Sequence, residues 1–433
     1  MAKRKSYSII PSPLTLAIIL SFIVYFLALV FTSSKNGNRI YPLELLNFYQ
    51  MGLWDLLTFA MQMILILVLG NVLALTPTFQ KLINLLLAKI NSNTSAVLFT
   101  VSFSLLLSYF NWGLGLIFSA LLARSIAQKA KSKGFKINYS LIVAAAYSGM
   151  MIWHGGLSGS APLKVAENSH FLSHLIGVIP VSKTIFSAMN ISLYITFLIL
   201  IPGSFYILSK LYKRKYTSNS ELPEPLKMPT QESNRQYIGL IFGLILAFLA
   251  LYQFYSFGLS ALNINLINLI LLSLIFILYA NLDEMMKAIQ TAIVSSSGIM
   301  IQFPIYAGIM GLMKYSGLID VFTNSLISIS STQSLPLYGF ISAAVVNFFV
   351  PSGGGQWAIQ GPILMEAAQQ LQVSTPKMIM ALAYGDQLTN MIQPFWAIPL
   401  LSISGVRAKQ ILPYTFIIMI IGGMASAFFL YLF

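Results

Sequence analysis

The chain has no cysteine, only three histidines and only 11 acidic residues among 433. Without thiols there are no disulfides and no thiolate metal centres. His154, His170 and His174 lack metal-ligand companions, and no His-Glu zinc motif or paired nucleophile and base stands at a usable spacing. An intramembrane enzyme is therefore disfavoured. Charged residues make up 8% of the chain, where a soluble domain carries about 25%. What fills their place is apolar: 57% of the residues are hydrophobic. Only a polytopic membrane protein fits. The net charge of +14 gathers between apolar runs, so it reads as a topology signal and not as a nucleic-acid surface.

A membrane span needs about 20 residues. Runs of that kind lie near 13–32, 52–76, 139–163, 182–208, 237–257, 261–281, 285–313, 376–400 and 409–433. Residues 33–50 read as a polar loop, and 79–90 and 318–332 as interfacial stretches. The basic start Met1-Ala2-Lys3-Arg4-Lys5 precedes a run with no small-residue cleavage site, and is expected to be a retained first span. Arg124 to Lys136 holds five basic and no acidic residues, and Lys210, Lys213, Arg214, Lys215, Lys227 and Arg235 form a second basic cluster. With the N-terminus in the cytoplasm, every basic-rich loop falls on the cytoplasmic face.

Two runs are interrupted by polar or flexible residues. Val346 to Trp357 carries Asn347, Pro351-Ser352, three glycines (Gly353, Gly354, Gly355) and Gln356, and residues 95–123 are broken at Asn111-Trp112-Gly113. In a soluble protein Pro-Ser-Gly-Gly-Gly is an ordinary loop. Hydrocarbon penalises each unpaired backbone group by several kcal/mol, so broken backbone at membrane depth survives only inside protein or around a wet cavity. Glycine permits sharp reversal and close approach. Both stretches are accordingly expected to be re-entrant hairpins, 95–123 and 335–372.

The halves echo each other. Ala146-Tyr147 and Pro162-Leu163 recur as Ala383-Tyr384 and Pro399-Leu400 at an offset of 237, and four of the five tryptophans fall in matching elements. The expected organisation is an N-terminal span and outer loop (1–51), a first repeat (52–210), a cytoplasmic linker with scaffold spans (211–284) and a second repeat (285–433). Five crossings separate the two starts, an odd number, which makes the repeats inverted, as in secondary transporters with a midplane site at broken helices. The fold expected is an all-α polytopic membrane protein with about nine full transmembrane helices and two re-entrant hairpins. The spans 139–163 and 376–400 are expected to be broken. The first holds Ser158, Gly159, Ser160 and Pro162, and the second holds Gly385-Asp386-Gln387, Thr389, Asn390 and Gln393-Pro394.

Asp386 lies ten residues into a span, where an ionisable group is costly and functional by default. It is a proton carrier, a cation ligand, or a carboxylate capping unwound backbone or pairing within the bundle. Asn111 and Asn347 offer carbonyl oxygens to a cation or hydrogen bonds between helices. Ser158, Ser160, Ser352, Gln356, Thr389 and Asn390, with Gly159, Gly353, Gly354 and Gly355, are candidates to hold a carboxylate. His154 alone reads more readily as a hydrogen-bonded packing residue than as a proton relay. Glu366 is read as solvated, near a hairpin end. No lysine or arginine falls mid-span.

At Asn347 to Pro362 the chain resembles the bacterial short-chain fatty acid transporter family. The likeness continues through Ile301 to Gly308, Ala383 to Gln387, Gln393 to Ala397, Phe59 to Met63, Asn111-Trp112-Gly113 and Ser158-Gly159-Ser160. The resemblance implies uptake of small monocarboxylates such as butyrate or acetoacetate across the bacterial inner membrane. It also implies a superfamily of dimeric, elevator-type, cation-coupled carriers that place hairpin-tip asparagines around sodium. Asn111, Gly113, Asn347 and Asp386 then become the coupling-ion candidates, with sodium first, a proton second and no cofactor. Position 154 departs from the family's expected small residue. The rivals are another cargo such as a dicarboxylate, export in place of import, or a channel.

Overall fold

The computed structural model describes residues 13–34, 41–212, 216–217, 222–223, 236–279 and 281–433. The basic N-terminus and Lys213, Arg214, Lys215, Lys227 and Arg235 lie outside them. Among the described residues every regular element is helical. The first half runs α1 (Pro13–Phe31), α2 (Tyr41–Gly52), α3 (Leu57–Ala74), α4 (Pro77–Lys89), α5 (Asn93–Phe110) and α6 (Trp112–Lys133). Then α7 (Tyr139–Tyr147) passes into 3-10 turns at Ser148–Met151 and Trp153–Gly155 before a short α8 (Ser160–Lys164). α9 (Ser173–Ile176), α10 (Ala188–Leu211), α11 (Tyr237–Phe257) and α12 (Ile264–Leu278) follow. The second half runs α13 (Leu282–Ile293), α14 (Ser297–Ser316), α15 (Leu318–Ser328), α16 (Leu335–Val346), α17 (Gly353–Gln370), α18 (Thr375–Asn390), α19 (Pro394–Ser404) and α20 (Ala408–Leu432).

Seven helical stretches among the described residues are long and apolar enough to cross a membrane, or eight if α13 and α14, bent by 50°, count as one. Nine were expected. Two expected spans fall short, since α12 has 15 residues and the run 376–400 divides into α18 of 16 and α19 of 11, while α5, expected as a hairpin arm, is itself long and apolar enough to cross. One expectation is corrected outright. Residues 33–50 are not all loop, because α2 occupies Tyr41–Gly52. Its backbone lies directly on α14, and a Cβ on Gly311 would sit 2.6 Å from the Gly52 Cα. Tertiary contact of this closeness between small residues is invisible to local polarity.

Exposed apolar side chains cover the outer helices. On α11 only Gly239, Gly243 and Ala250 are buried, while Ile238, Phe248 and Leu251 face outward. Such a surface suits lipid. The interior is the reverse, since α6, α7, α17 and α18 bury most of their residues, polar ones included. These inner helices carry the site.

Candidate functional site

Each sharp interruption is pinned to a broken helix of its own half. Between α5 and α6 only Asn111 is extended (φ −154°, ψ 122°). Its Oδ1 accepts from the Leu114 N–H at 2.9 Å, capping α6. Its Nδ2 donates to the Ile66 carbonyl at 3.1 Å, and Gly113 backs on Leu67 and Asn71, so this tip leans on α3. The loop after the first 3-10 turns is tied to the same tip: Leu157 N–H donates to the Tyr109 carbonyl at 2.7 Å and Trp112 N–H to Ser158 Oγ at 3.0 Å. In the second half Asn347 Nδ2 donates to the Asp386 carbonyl (2.7 Å), Asn390 Oδ1 (2.8 Å) and Thr389 Oγ1 (3.0 Å). Gln393 Nε2 donates back to the Asn347 carbonyl. Asn347 Oδ1 is left buried without a hydrogen-bond partner.

The glycine run explains itself by what it touches. Ser352 Oγ accepts from the Gly355 N–H and caps α17. A Cβ on Gly353 would sit 2.7 Å from Trp153, 2.8 Å from Ser160 Oγ and 2.9 Å from the His154 ring, and one on Gly354 would sit 2.9 Å from Phe303 and 3.1 Å from Phe59. Gly355 lies against Tyr306. The start of α17 is thus seated on the break between α7 and α8, which any larger residue would prevent. Gln356 stays within its own pair of helices, donating to the Ala343 carbonyl and to Gln360 Oε1. Gly159 is pressed against the His154 carbonyl.

At the meeting point of the two halves, His154 Nδ1 stands 2.6 Å from Asp386 Oδ2, with the two side chains 0% and 1% exposed. Ser160 Oγ is 2.9 Å from His154 Nε2, and the Ala161 N–H points at the same nitrogen from 3.3 Å. A main-chain N–H can only donate, so Nε2 carries the lone pair and Nδ1 the proton. His154 Nδ1 then donates to Asp386 Oδ2. Its Oδ1 is buried with no partner. Trp153 stacks on the His154 ring at 4.5 Å, and Gln387 Oε1 accepts from the His154 N–H at 3.1 Å. The adjoining cavity, lined by Ile152, Gly155, Asn190, Tyr384 and Gln387 among others, measures about 10 Å³, room for one water and not for a four-carbon acid.

The structure therefore brings Ser160, Gly353 and Asp386 together around His154, and Asn347, Thr389 and Asn390 together one step away. Asn111, Gly113 and Ser158 serve the other tip. The interruption in 376–400 falls at residues 391–393, between α18 and α19, so Gly385-Asp386-Gln387 are helical. Lys164, the last residue of α8, is buried at 6% exposure, and sequence reasoning gave it no role. It lies one residue beyond the expected span end, so its position pointed to the interface. Its spacing of four from Ser160, one turn along α8, was the available signal.

A family model described as "Short chain fatty acid transporter" matches residues 2–433. Two proteins named "Putative short-chain fatty acid transporter" are similar over nearly their whole lengths. The one from Haemophilus influenzae is 34% identical over 424 residues, 94% of this chain and 92% of that protein. The one from Escherichia coli is 33% identical over 429 residues, 96% of this chain and 94% of its own. The crystal structure of the YdaH transporter from Alcanivorax borkumensis shares the fold, with a TM-score of 0.61 over 98% of both chains at 13% identity.

Proposed function

This chain belongs to the short-chain fatty acid transporter family, and from that premise we propose that it takes up small monocarboxylates such as butyrate or acetoacetate by cation-coupled symport. It is a multi-pass membrane protein, and we place it in the bacterial inner membrane with a cytoplasmic N-terminus, working as a homodimer by elevator-type alternating access. The observation that carries the coupling is the buried carboxyl group of Asp386, one oxygen of which has no partner. Asp386 lies on α18 against the break between α7 and α8, with His154 as its only ion-pair partner among the described residues. A lone buried carboxylate is costly, and a cation arriving with the substrate relieves that cost.

Sodium is the first choice. Asp386 Oδ1 and Asn347 Oδ1 are buried acceptors without partners, the oxygen chemistry that a hard cation takes. A proton on Asp386 is the second reading, carried on Oδ1, which is buried without a partner while Oδ2 accepts from His154. For the substrate, Ser160, Ser352 and the start of α17 offer hydrogen-bond donors to a carboxylate. Thr389 and Asn390 stand around Asn347, one step away, and Trp153, Phe59 and Phe303 provide apolar surface for a short acyl chain. The re-entrant, inverted arrangement is supported by the order of elements, which is the same in both halves: long helix, short helix, interrupted pair, broken helix, long helix. Counterflow in proteoliposomes with a panel of labelled acids tests the cargo. Exchange of butyrate and acetoacetate but not of succinate is expected, and preference for succinate would overturn the assignment.

A further inference from the structure

Ten residues past His154 the fold buries a second pair of opposite charges. Lys164 Nζ lies 2.6 Å from Glu167 Oε2, and the residues are 6% and 7% exposed. Gln62 completes the arrangement. Its Nε2 donates to Glu167 Oε1 at 2.9 Å, while its Oε1 accepts from Lys164 Nζ at 3.2 Å. Both oxygens of the Glu167 carboxylate are therefore held, one by an ammonium and one by an amide. The ammonium also stands 5.2 Å over the Phe59 ring, and Phe59 meets Phe303 edge-on, both rings lying beside Gly354. Gln62 Nε2 donates further to Asn265, which is exposed, and Asn168 and Ser169 next to Glu167 are exposed as well. The cluster thus lies between solvent and the broken-helix site, at the far end of the five-residue α8 that begins with Ser160.

A buried ion pair gains little over apolar residues of the same volume, so stability alone does not account for it. Its chemistry suggests another role. The side chain of Glu167 beyond Cα is a tethered propionate, a short acyl chain ending in a carboxylate, held by a lysine and an amide beside aromatic rings. We propose that Lys164 and Gln62 form a receptor for the carboxylate of the transported acid, and that Glu167 occupies it as a built-in stand-in. An incoming acid displaces Glu167, whose carboxylate swings to the exposed Asn168–Ser169 side, so one negative charge replaces another at Lys164. The receptor passes the acid along Phe59 toward Ser160 and Gly353. This inference rests on the monocarboxylate reading above and names the entry site for it.

The test is uptake of labelled butyrate by the full chain in proteoliposomes, with Lys164→Gln, Lys164→Arg, Glu167→Gln and the double variant Lys164→Gln/Glu167→Gln. Lys164→Gln should raise the half-saturating butyrate concentration by about tenfold or more, the scale of one hydrogen bond to a charged group. Lys164→Arg should stay close to the parent, and Glu167→Gln should lower the half-saturating concentration because the competitor is gone. The double variant should be as weak as Lys164→Gln alone. A structural brace gives the opposite pattern: both single variants impaired, and the double variant restored. That pattern, or an unchanged half-saturation in Lys164→Gln, overturns the receptor. If Lys164→Gln does not fold, Glu167→Gln decides, and a half-saturation equal to or above the parent's overturns it. Absence of butyrate uptake by the parent protein would instead remove the monocarboxylate reading itself.

Discussion

Tyr147 donates its hydroxyl to the Asn390 carbonyl, 2.7 Å away and 243 residues on in the chain. The Gln393 carbonyl lies 3.3 Å from the same hydroxyl. Tyr384, at the matching place in the second half, donates to Asn190 Oδ1 at 2.9 Å, and Asn190 in turn donates to the Gly155 carbonyl at 2.9 Å. Tyr147 thus donates directly to main-chain oxygens at the break of the other half, and Tyr384 reaches the first break through Asn190. In a membrane those carbonyls have no water to turn to.

Replacing Tyr147 by phenylalanine removes that donor while keeping the ring. The expected cost is about 0.5–1.5 kcal/mol, that of one lost hydrogen bond, since the Asn390 carbonyl keeps the Gln393 N–H at 3.1 Å. A thermal unfolding scan in detergent should show a lower midpoint, and a midpoint equal to the parent's would mean that the brace contributes nothing.

Two glycine-to-alanine changes should differ sharply. At Gly353 the new Cβ meets Trp153, Ser160 and His154 at 2.7–2.9 Å, whereas at Gly203, inside α10, nothing lies within 4 Å. Gly353→Ala is expected to lose about 1–3 kcal/mol to overpacking and to slow uptake strongly. Gly203→Ala should be neutral or slightly stabilising, since alanine is the better helix former. Equal uptake rates in the two variants would contradict the close seating of α17 on the first break.

His170, outside the spans, gives the fold a pH dependence of known sign. Burial lowers its pKa below the ordinary value, with Lys164 and His174 adding to the effect, while the Gly177 carbonyl and Glu167 oppose it. The neutral ring fits its surroundings: Nε2 donates to the Gly177 carbonyl at 2.8 Å and Nδ1 accepts from the Leu172 N–H at 3.3 Å. A histidine with a lowered folded pKa contributes stability that is present above its unfolded pKa, near 6.5, and lost as pH falls through the folded value. The unfolding midpoint should therefore drop between pH 7 and pH 5, and His170→Asn should flatten that slope. An identical slope in the variant would assign the pH dependence to other groups.

Much of this was readable from residues alone, for a physical reason. Glycine, proline, asparagine and serine at membrane depth are so costly that they mark broken backbone wherever they cluster. Residues 347–352 and Asn111 do interrupt helices, and 139–163 does pass through 3-10 turns and loop into α8. What could not be read was contact across the chain. Nothing local says that His154 meets Asp386, 232 residues away, and His154 taken singly read as packing. Lys164 was missed because a lysine just past a span ordinarily reaches for the interface, whereas here Glu167 and Gln62 hold it inside. The helix at α2 was missed because what holds it is the glycine-on-glycine approach to α14.

The central claim, that the buried carboxyl group of Asp386 against the break between α7 and α8 couples a cation to a short-chain acid, is tested most directly by butyrate accumulation in proteoliposomes under an imposed sodium gradient without a pH gradient. The account predicts accumulation above equilibrium in the parent protein and its collapse in Asp386→Asn. Accumulation driven only by a pH gradient, with Asp386→Asn removing the pH dependence, would move the coupling from sodium to the proton. Gradient-driven accumulation that survives unchanged in Asp386→Asn would contradict the claim.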